Sequence, residues 1–574
     1  MRILHRLLLF SILKRLFYII AFALFCSLGL NAQDYPLQIN NDEKVIFVDS
    51  LGLAQNTTVY EVLKILPEML SRQGSYLVSN YSVRVNDVPV GGLNDAILSQ
   101  LHISDVYKIV LSVSSASSFT NNGESGSINV ILRETDRLIS GNVALDVAYP
   151  VDIIPGFLVS INKGKWRVNT LFKGDYYNPS PTLVDVTNDY DAPEEHYSSK
   201  IKYAGETAHI SAVRTGSKDK FTICFSESSS TSYSREDELE NTTNSLNLRG
   251  YVKYERNFDK GAGLCVESEY NYNAKANHEV REKVEYIQPV VRNNILTFKL
   301  GENASYDSVV PSGIQSAFVM PYFRVEGTAG QWSYLTELDM QYYLYDVEGI
   351  GKSSHFDLTG LAAVRWQFTD HQMFRLLADR KIMRQDALSV NPVKLSSVSL
   401  DYIINGNVTD GAWMFNPSVG YIHVDDIVST VSKPYDTDDM LNLDLLARFQ
   451  KGVFALSFTS NLFYSMLHDN GYDAGHALYY NLSLMPSLNF STGTHFVAGL
   501  TYNSKLIRSF QSNGDNAFML LSIGQELGPV YLHLYGTINF LGRTTDMEYR
   551  VLGNVYKTYA LIRNNVGLGV SYNF

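Results

Sequence analysis

Long runs of strict two-residue alternation between apolar and hydrophilic side chains recur from about residue 138 to the end of this chain, and few architectures accommodate them. In the last segment Val566, Leu568, Val570, Tyr572 and Phe574 alternate with Gly567, Gly569, Ser571 and Asn573. Successive side chains of a β-strand point to opposite faces, so each run has one apolar and one hydrophilic face. Upstream, Phe454, Leu456, Phe458, Leu462, Tyr464 and Met466 share a face, against Ala455, Ser457, Thr459, Asn461 and Ser465 on the other. Val530, Leu532, Leu534, Ile538 and Phe540 oppose His533, Thr537 and Asn539. Leu441, Leu443, Leu445, Ala447 and Phe449 oppose Asn442, Asp444, Arg448 and Gln450, and Leu246, Leu248, Val252 and Tyr254 oppose Asn247, Arg249, Lys253 and Glu255. Charges of both signs therefore fall on the hydrophilic face.

Strand length decides where that face points. Strands of soluble sandwiches average about 5–6 residues. The runs here are about twice as long, matching the ~9–11 residues that a tilted strand needs to cross a bilayer. Aromatics near their ends, such as Trp332, Tyr342, Phe454 and Tyr464, suit girdles at the two membrane interfaces. The expected fold is mainly β: a large antiparallel transmembrane β-barrel over 135–574, of about 20–22 strands. A small N-terminal α/β plug sits in its lumen, since a barrel this wide needs one. The polar stretches Tyr176–Ser199 and Ser228–Ser245 read as long external connections.

Residues 1–32 read as a signal peptide. Arg2, Arg6, Lys14 and Arg15 form a basic head, Leu16–Leu28 is apolar, and Leu30-Asn31-Ala32 precedes the expected cleavage before Gln33. Its removal takes four of the 47 basic residues and none of the 59 acidic ones, leaving an acidic mature chain unsuited to nucleic acid. Two cysteines then remain, Cys224 and Cys265. Placed on strands separated by one other strand, they lie about 9–10 Å apart, beyond disulfide reach, and are expected as free thiols.

After a short N-terminal periplasmic segment (33–55), the period changes across 56–134. Thr58 and Glu61 form a capping box, Val59, Val62, Leu63 and Leu66 recur at helical spacing, and Pro67 stops the helix. Tyr81–Val85, an Asn86-Asp87 turn and Val88-Pro89-Val90 read as a hairpin. Leu93–Leu101 reads as a second helix, and Tyr107–Val113 and Ile128–Leu132 as strands.

In that order these pieces resemble the plug of TonB-dependent receptors. Thr57–Pro67 is similar to the plug's opening helix, Val83-Arg84-Val85-Asn86-Asp87-Val88-Pro89 to its central hairpin, and Asp105–Leu111 to its "D-I-E-x-I-E-V" strand. Ser114–Phe119 followed by Gly123–Leu132, with Gly126 and Asn129, resembles its closing segment. Glu43–Asp49 has a counterpart in the receptor-like outer-membrane barrels of Bacteroidetes. The terminal aromatic strand, ending in Tyr572 and Phe574, resembles the signal read by the barrel-assembly machinery. The resemblance implies an integral outer-membrane protein of a Gram-negative bacterium, in contact with lipid and lipopolysaccharide. It implies ligand capture and TonB-dependent uptake. The chain departs from the pattern in four ways: Asp87 replaces the usual hairpin glycine, the Gly-Pro before the Ser-Ala step is missing, Gly126-Ser127 replaces paired glycines, and no coupling box precedes Glu43. Those departures fit the alternative, a non-transporting structural or accessory subunit that partners a surface lipoprotein or another outer-membrane protein.

Catalytic motifs are missing: there is no phosphate-binding glycine loop, no His-Glu-x-x-His and no zinc-type Cys/His spacing. The chain reads as a non-enzyme without cofactor. His209, His423 and His533 read as polar lumen lining that could meet a serine. Asp189, Asp191, Glu194, Glu195 and His196 are the weak metal candidates, and Asp436, Asp438 and Asp439 form a similar acidic tip.

Overall fold

In the computed structural model the chain is described over residues 37–574. Excepted in the N-terminal part are 52, 54–56, 64–65, 67–80, 91–96, 100, 114–125 and 134–136. Excepted between strands further on are 150, 179–181, 189–194, 237–238, 259–260, 274–276, 291–295, 310–313, 348–350, 384–392, 409–410, 426–436, 470–471, 505, 508–510, 514–515, 541–543, 552–553 and 562–563.

The alternating runs close into an antiparallel barrel of 22 strands. Closure joins the last strand, Asn565–Asn573, to the first, Ile139–Tyr149, with Tyr572 opposite Val143. Phe574 seals that seam: its N–H donates to the Gly141 carbonyl (3.0 Å), and its carbonyl accepts from the Gly141 N–H (3.1 Å). A closed ladder leaves no unpaired edge, as spanning a bilayer requires. Along Tyr472–Asn489, Leu478, Leu482 and Leu484 are exposed on the outside, while Ala477, Tyr479 and Asn481 are buried inside. The same inversion holds on Phe454–Asp469, where Ser457, Thr459, Asn461 and Ser465 are the buried set. Apolar groups outside and polar groups inside are unstable in water and stable in lipid.

Aromatics gather on the outer face at the end where the chain enters the barrel. Trp332 stacks on Trp366 with ring centroids 5.2 Å apart, and the ribbon continues through Phe368 and Phe374 to Tyr402. Inside, tyrosine rings lie flat across glycines of the next strand. A Cβ on Gly524 would come within 1.7 Å of the Tyr531 hydroxyl oxygen, and one on Gly567 within 2.3 Å of the Tyr535 ring.

The described parts of the two stretches expected as external connections are almost entirely strand. Thr182–Asn188 pairs with Glu195–Thr215 and with Asn554–Leu561. Asp219–Glu236 and Leu239–Asn257 form one long hairpin through Ser228–Ser245, with Ser230 opposite Ser245. Where a ladder rises above the bilayer both faces meet water, so the apolar/polar period vanishes while the hydrogen bonds continue. Composition alone makes such a stretch look like loop.

The N-terminal part is a six-stranded mixed sheet in the order Leu37–Ile39, Glu43–Phe47, Val106–Val113, Gly126–Leu132, Tyr81–Val85, Val88–Pro89. Only the Gly126–Leu132/Tyr81–Val85 pairing is parallel among these. The sheet starts at Leu37 rather than after residue 56: Val45 and Ile46 are buried, and Glu43–Phe47 pairs along Lys108–Ser112. The helix Val59–Leu63 opens with the expected capping box. The Glu61 N–H donates to Thr58 Oγ1 (3.2 Å), and the Thr58 N–H donates to Glu61 Oε2 (2.9 Å). Residues 97–99 of the second expected helix are helical. Val59, Val62, Leu63, Ile97, Leu98, Val83, Ile109, Ile128 and Val130 make the plug core. That core continues into the wall through Leu158, Leu171, Ile403, Met414 and Leu446, which places the plug inside the barrel.

Candidate functional site

The hairpin Tyr81–Pro89 packs against the wall, with Val88 buried among Val213, Cys224 and Tyr251. Its turn places Asn86 and Asp87 at φ of 52° and 69°, the left-handed pair that a two-residue hairpin needs and that Asn and Asp tolerate best outside glycine. Both side chains are used. Asn86 Oδ1 accepts from the Leu132 N–H (2.9 Å), while Asn129 Nδ2 donates to Asp87 Oδ1 (2.7 Å) and Asn129 Oδ1 accepts from the Asp87 N–H (3.1 Å). Asp87 therefore replaces glycine at a backbone cost and is held by contacts that glycine could not make. Gly126 sits where a Cβ would lie 2.0 Å from the Ser112 carbonyl oxygen, so close approach of two strands explains the glycine. Pro67 and Gly123 lie outside the described residues.

Three groups of polar contacts hold the plug to the wall among the described residues. At the hairpin, Arg84 Nη1 lies 3.7 Å from Glu267 Oε2. The wall's Lys253 and Lys283 are each 3.7 Å from the same carboxylate, and the Tyr251 hydroxyl donates to it (2.8 Å). Beside it Glu269 is held by Arg249 and Arg281, and Lys220 reaches Asp87 at 3.2 Å. Cys224 Sγ donates to the Pro89 carbonyl (3.7 Å), tying the free thiol to the hairpin tip. In the second group Asp42 pairs with Arg324 (2.9 Å), and Lys44 with Asp401 (3.3 Å), itself bound by Arg375. Arg365 donates to the Ile39 carbonyl (3.0 Å), and Ser333 donates to Asn41 (2.8 Å). In the third, Asn142 donates to Asp105 (2.8 Å) and Lys173 to Ser99 (2.5 Å).

Plug ionisation follows this geometry. Burial opposes the charge of Arg84, but Glu267, Tyr251 and Glu269 outweigh it and raise its pKa. Burial likewise works against the Asp87 carboxylate, yet Lys220 and Lys253 hold it below the ordinary range. Burial pushes the His102 imidazole down to about 4 against the smaller upward pull of Asp146, and burial raises Asp105 despite its bond from Asn142. A set of charge-compensated contacts of this kind makes a seat that is strong when complete and sensitive to loss of any one partner.

The other expected site residues are scattered. Asp189, Asp191 and Glu194 lie outside the described residues; Glu195 and His196 open the strand Glu195–Thr215, opposite Val186 and Asp185. Asp438 is buried on the lumenal face, whereas Asp439 points outward, so the acidic tip is not brought together; Asp436 lies outside the described residues. His423 is not lumenal. It shares the outer face with the exposed Val419 and Tyr421, and its Nδ1 lies 2.7 Å from Asp439, which also meets Tyr421 and His468. His533 is lumenal and faces Asp146 (3.1 Å). His209 does meet a serine, with Nδ1 2.8 Å from Ser226 Oγ and 3.5 Å from Cys224 Sγ. Among the described residues no group of three or more His, Cys, Asp or Glu side chains is placed to hold a metal.

Fold and interface together define a class: a closed, 22-stranded antiparallel barrel with a folded N-terminal plug seated in its lumen. Solved structures share it across nearly the whole chain. The FrpB iron transporter of Neisseria meningitidis (F3-3 variant) is 11% identical with a TM-score of 0.65, over 94% of this chain and 100% of that one. FpvA of P. aeruginosa, solved with a pyoverdine–iron complex, is 10% identical with a TM-score of 0.65, over 94% and 87%. The copper transporter OprC is 10% identical with a TM-score of 0.64, over 95% and 100%. By their names the first and last of these are transporters, of iron and of copper. No protein-family model matches the sequence, and no curated protein matches it.

Proposed function

We propose that this chain is an integral outer-membrane receptor and transporter that captures a ligand at its external face and admits it past the plug, with energy delivered through TonB. The observation that carries the reading is a lumen closed by a folded plug whose seat is built from ion pairs, Arg84–Glu267, Asp42–Arg324 and Lys44–Asp401. Such a seat holds in the resting state and is released by moving a small domain, without unfolding the barrel. The solved neighbours carry iron complexes or copper by their names, which makes chelated or free transition metal the first cargo to test. Export by the 1–32 signal, insertion by the barrel-assembly machinery through Tyr572 and Phe574, and contact with lipopolysaccharide complete the proposal, as does a Bacteroidetes-type host. The test is growth and uptake of labelled iron chelates and copper in strains lacking this protein, with and without TonB. A defect that is equal in the two single mutants and not additive supports the reading; normal uptake of every cargo in the deletion strain counts against it.

One observation favours a second reading. The segment 39–42 is clamped to the wall by Arg365, Ser333 and Arg324, and Leu37–Ile39 is already a strand of the plug sheet. A plug fixed at both its hairpin and its N-terminal edge also suits a stopper in a structural or accessory subunit. Stoichiometric partners retained after gentle detergent extraction, together with unchanged cargo uptake in the deletion strain, would favour that assignment.

A further inference from the structure

Arg448 is a buried cation whose charge the described structure leaves uncompensated. It lies on the lumenal face of Thr437–Lys451, three residues before that strand ends, at the end of the barrel where the plug chain enters. It is 6% exposed, flanked across the sheet by Met414 and Ser457, with Leu446 two residues along on the same face. Met414 and Leu446 belong to the core shared with the plug, so the guanidinium sits at the plug–wall interface. Its Nη1 donates to Ser457 Oγ, while Nε and Nη2 have no partner among the described residues.

The identity of those two atoms matters. Nε and Nη2 form one edge of the planar guanidinium, the edge that binds two oxygens of a carboxylate or phosphate side by side. Ser457 occupies the other edge and so holds the plane, while the Nε–Nη2 edge is enclosed away from bulk water. An arginine cannot shed its proton to escape burial, and an unpaired buried charge is strongly unfavourable. The nearest lumenal acid on its own strand, Asp444, is four residues away, about 13 Å at ~3.3 Å per residue, and is engaged by Asn442 and Asn461. The neighbouring strands present Met414, Asn416, Ser457 and Thr459 on this face, none of them acidic. Every other lumenal arginine named above has a carboxylate partner or, in Arg365, a backbone carbonyl. Arg448 has neither among the described residues.

We propose that Arg448 is an anion-binding residue at the plug–wall interface, taking two oxygens of a small carboxylate- or phosphate-bearing solute on its Nε–Nη2 edge, with Ser457 orienting it. The site goes beyond the transport reading and does not depend on it, because a stopper could equally be locked by such an anion.

The experiment uses the full mature chain in detergent. Thermal unfolding is followed at fixed ionic strength while chloride is exchanged for inorganic phosphate in one series and for citrate in the other. The wild type is expected to gain stability saturably in at least one series, and the series that responds identifies the oxyanion class. Arg448→Met, which removes the unpaired charge, is expected to unfold above the wild type in chloride and to respond to neither anion. Arg448→Lys keeps the charge but loses the fork, and its apparent affinity is expected to fall at least about tenfold. Ser457→Ala should retain a response. The proposal is overturned if the wild type responds to neither anion, as it would if a carboxylate of the chain itself closed the fork. It is also overturned if Arg448→Met responds as the wild type does, or if Arg448→Lys binds as tightly.

Discussion

Replacing Glu267 with glutamine removes the one negative charge around which Arg84, Lys253 and Lys283 converge, each at 3.7 Å. The carboxylate is 3% exposed, so water cannot take over its role. Breaking a buried ion pair from one side costs about 3–5 kcal/mol, and here Arg84 loses its carboxylate while Lys253 and Lys283 fall back on Glu255 (3.1 Å) and Glu285 (3.9 Å). Arg84→Met attacks the same contact from the plug side but leaves Glu267 with two lysines and the Tyr251 hydroxyl. Its cost should be nearer 1–3 kcal/mol, the worth of about one charged hydrogen bond. The assay is amide hydrogen exchange of Tyr81–Val85 and Gly126–Leu132, whose opening reports release of the plug sheet from the wall. At about 1.4 kcal/mol per tenfold, Glu267→Gln should accelerate exchange roughly 10²–10⁴-fold and Arg84→Met about 5–150-fold. Barrel strands far from the site, such as Tyr472–Asn489, should not change. Equal effects of the two variants, or acceleration below tenfold in Glu267→Gln, would refute the idea that this carboxylate organises the seat.

His102 titrates at about 4 in the folded plug against 6.5 when free. The unfolded state therefore binds the extra proton first, and plug stability should fall by about 3 kcal/mol as pH drops from 6.5 to 4; a His102→Asn variant should flatten that slope in pH-dependent plug exchange. Asp87→Gly relieves a φ of 69° but removes the contacts to Lys220 and Asn129, so it should lower plug stability by about 1 kcal/mol rather than raise it, read by the same exchange. Deleting Phe574 strips the paired bonds to Gly141 from the closing seam, and the fraction of heat-modifiable, membrane-inserted barrel on gels should drop several-fold.

Local chemistry made part of this architecture readable from the sequence. The Thr58/Glu61 box, the Asn86-Asp87 turn and the strand at Val106–Val113 each depend on residues within a few positions of one another. The two-faced strands were equally readable within the bilayer, where solvent differs on the two sides. That contrast disappears above the membrane, which is why Ser228–Ser245 looked like loop and His423 looked lumenal. The seat was legible only as a face. Arg249, Lys253 and Arg448 could be placed inward, but their partners could not be named, since Asp87 meets Lys220 across 133 residues and Asp42 meets Arg324 across 282. Nothing in the local pattern distinguishes Arg249, which finds Glu269, from Arg448, which finds no acid among the described residues.

Spin labels attached one at a time along Tyr472–Asn489 in reconstituted membranes measure the direction in which the strand faces point. Labels at Leu478, Leu482 and Leu484 should collide with dissolved oxygen and be shielded from a water-soluble nickel chelate, while labels at Ala477, Tyr479 and Asn481 should show low oxygen access. Uniform accessibility along the strand, or oxygen access highest at Asn481, would contradict the barrel and the plug it encloses.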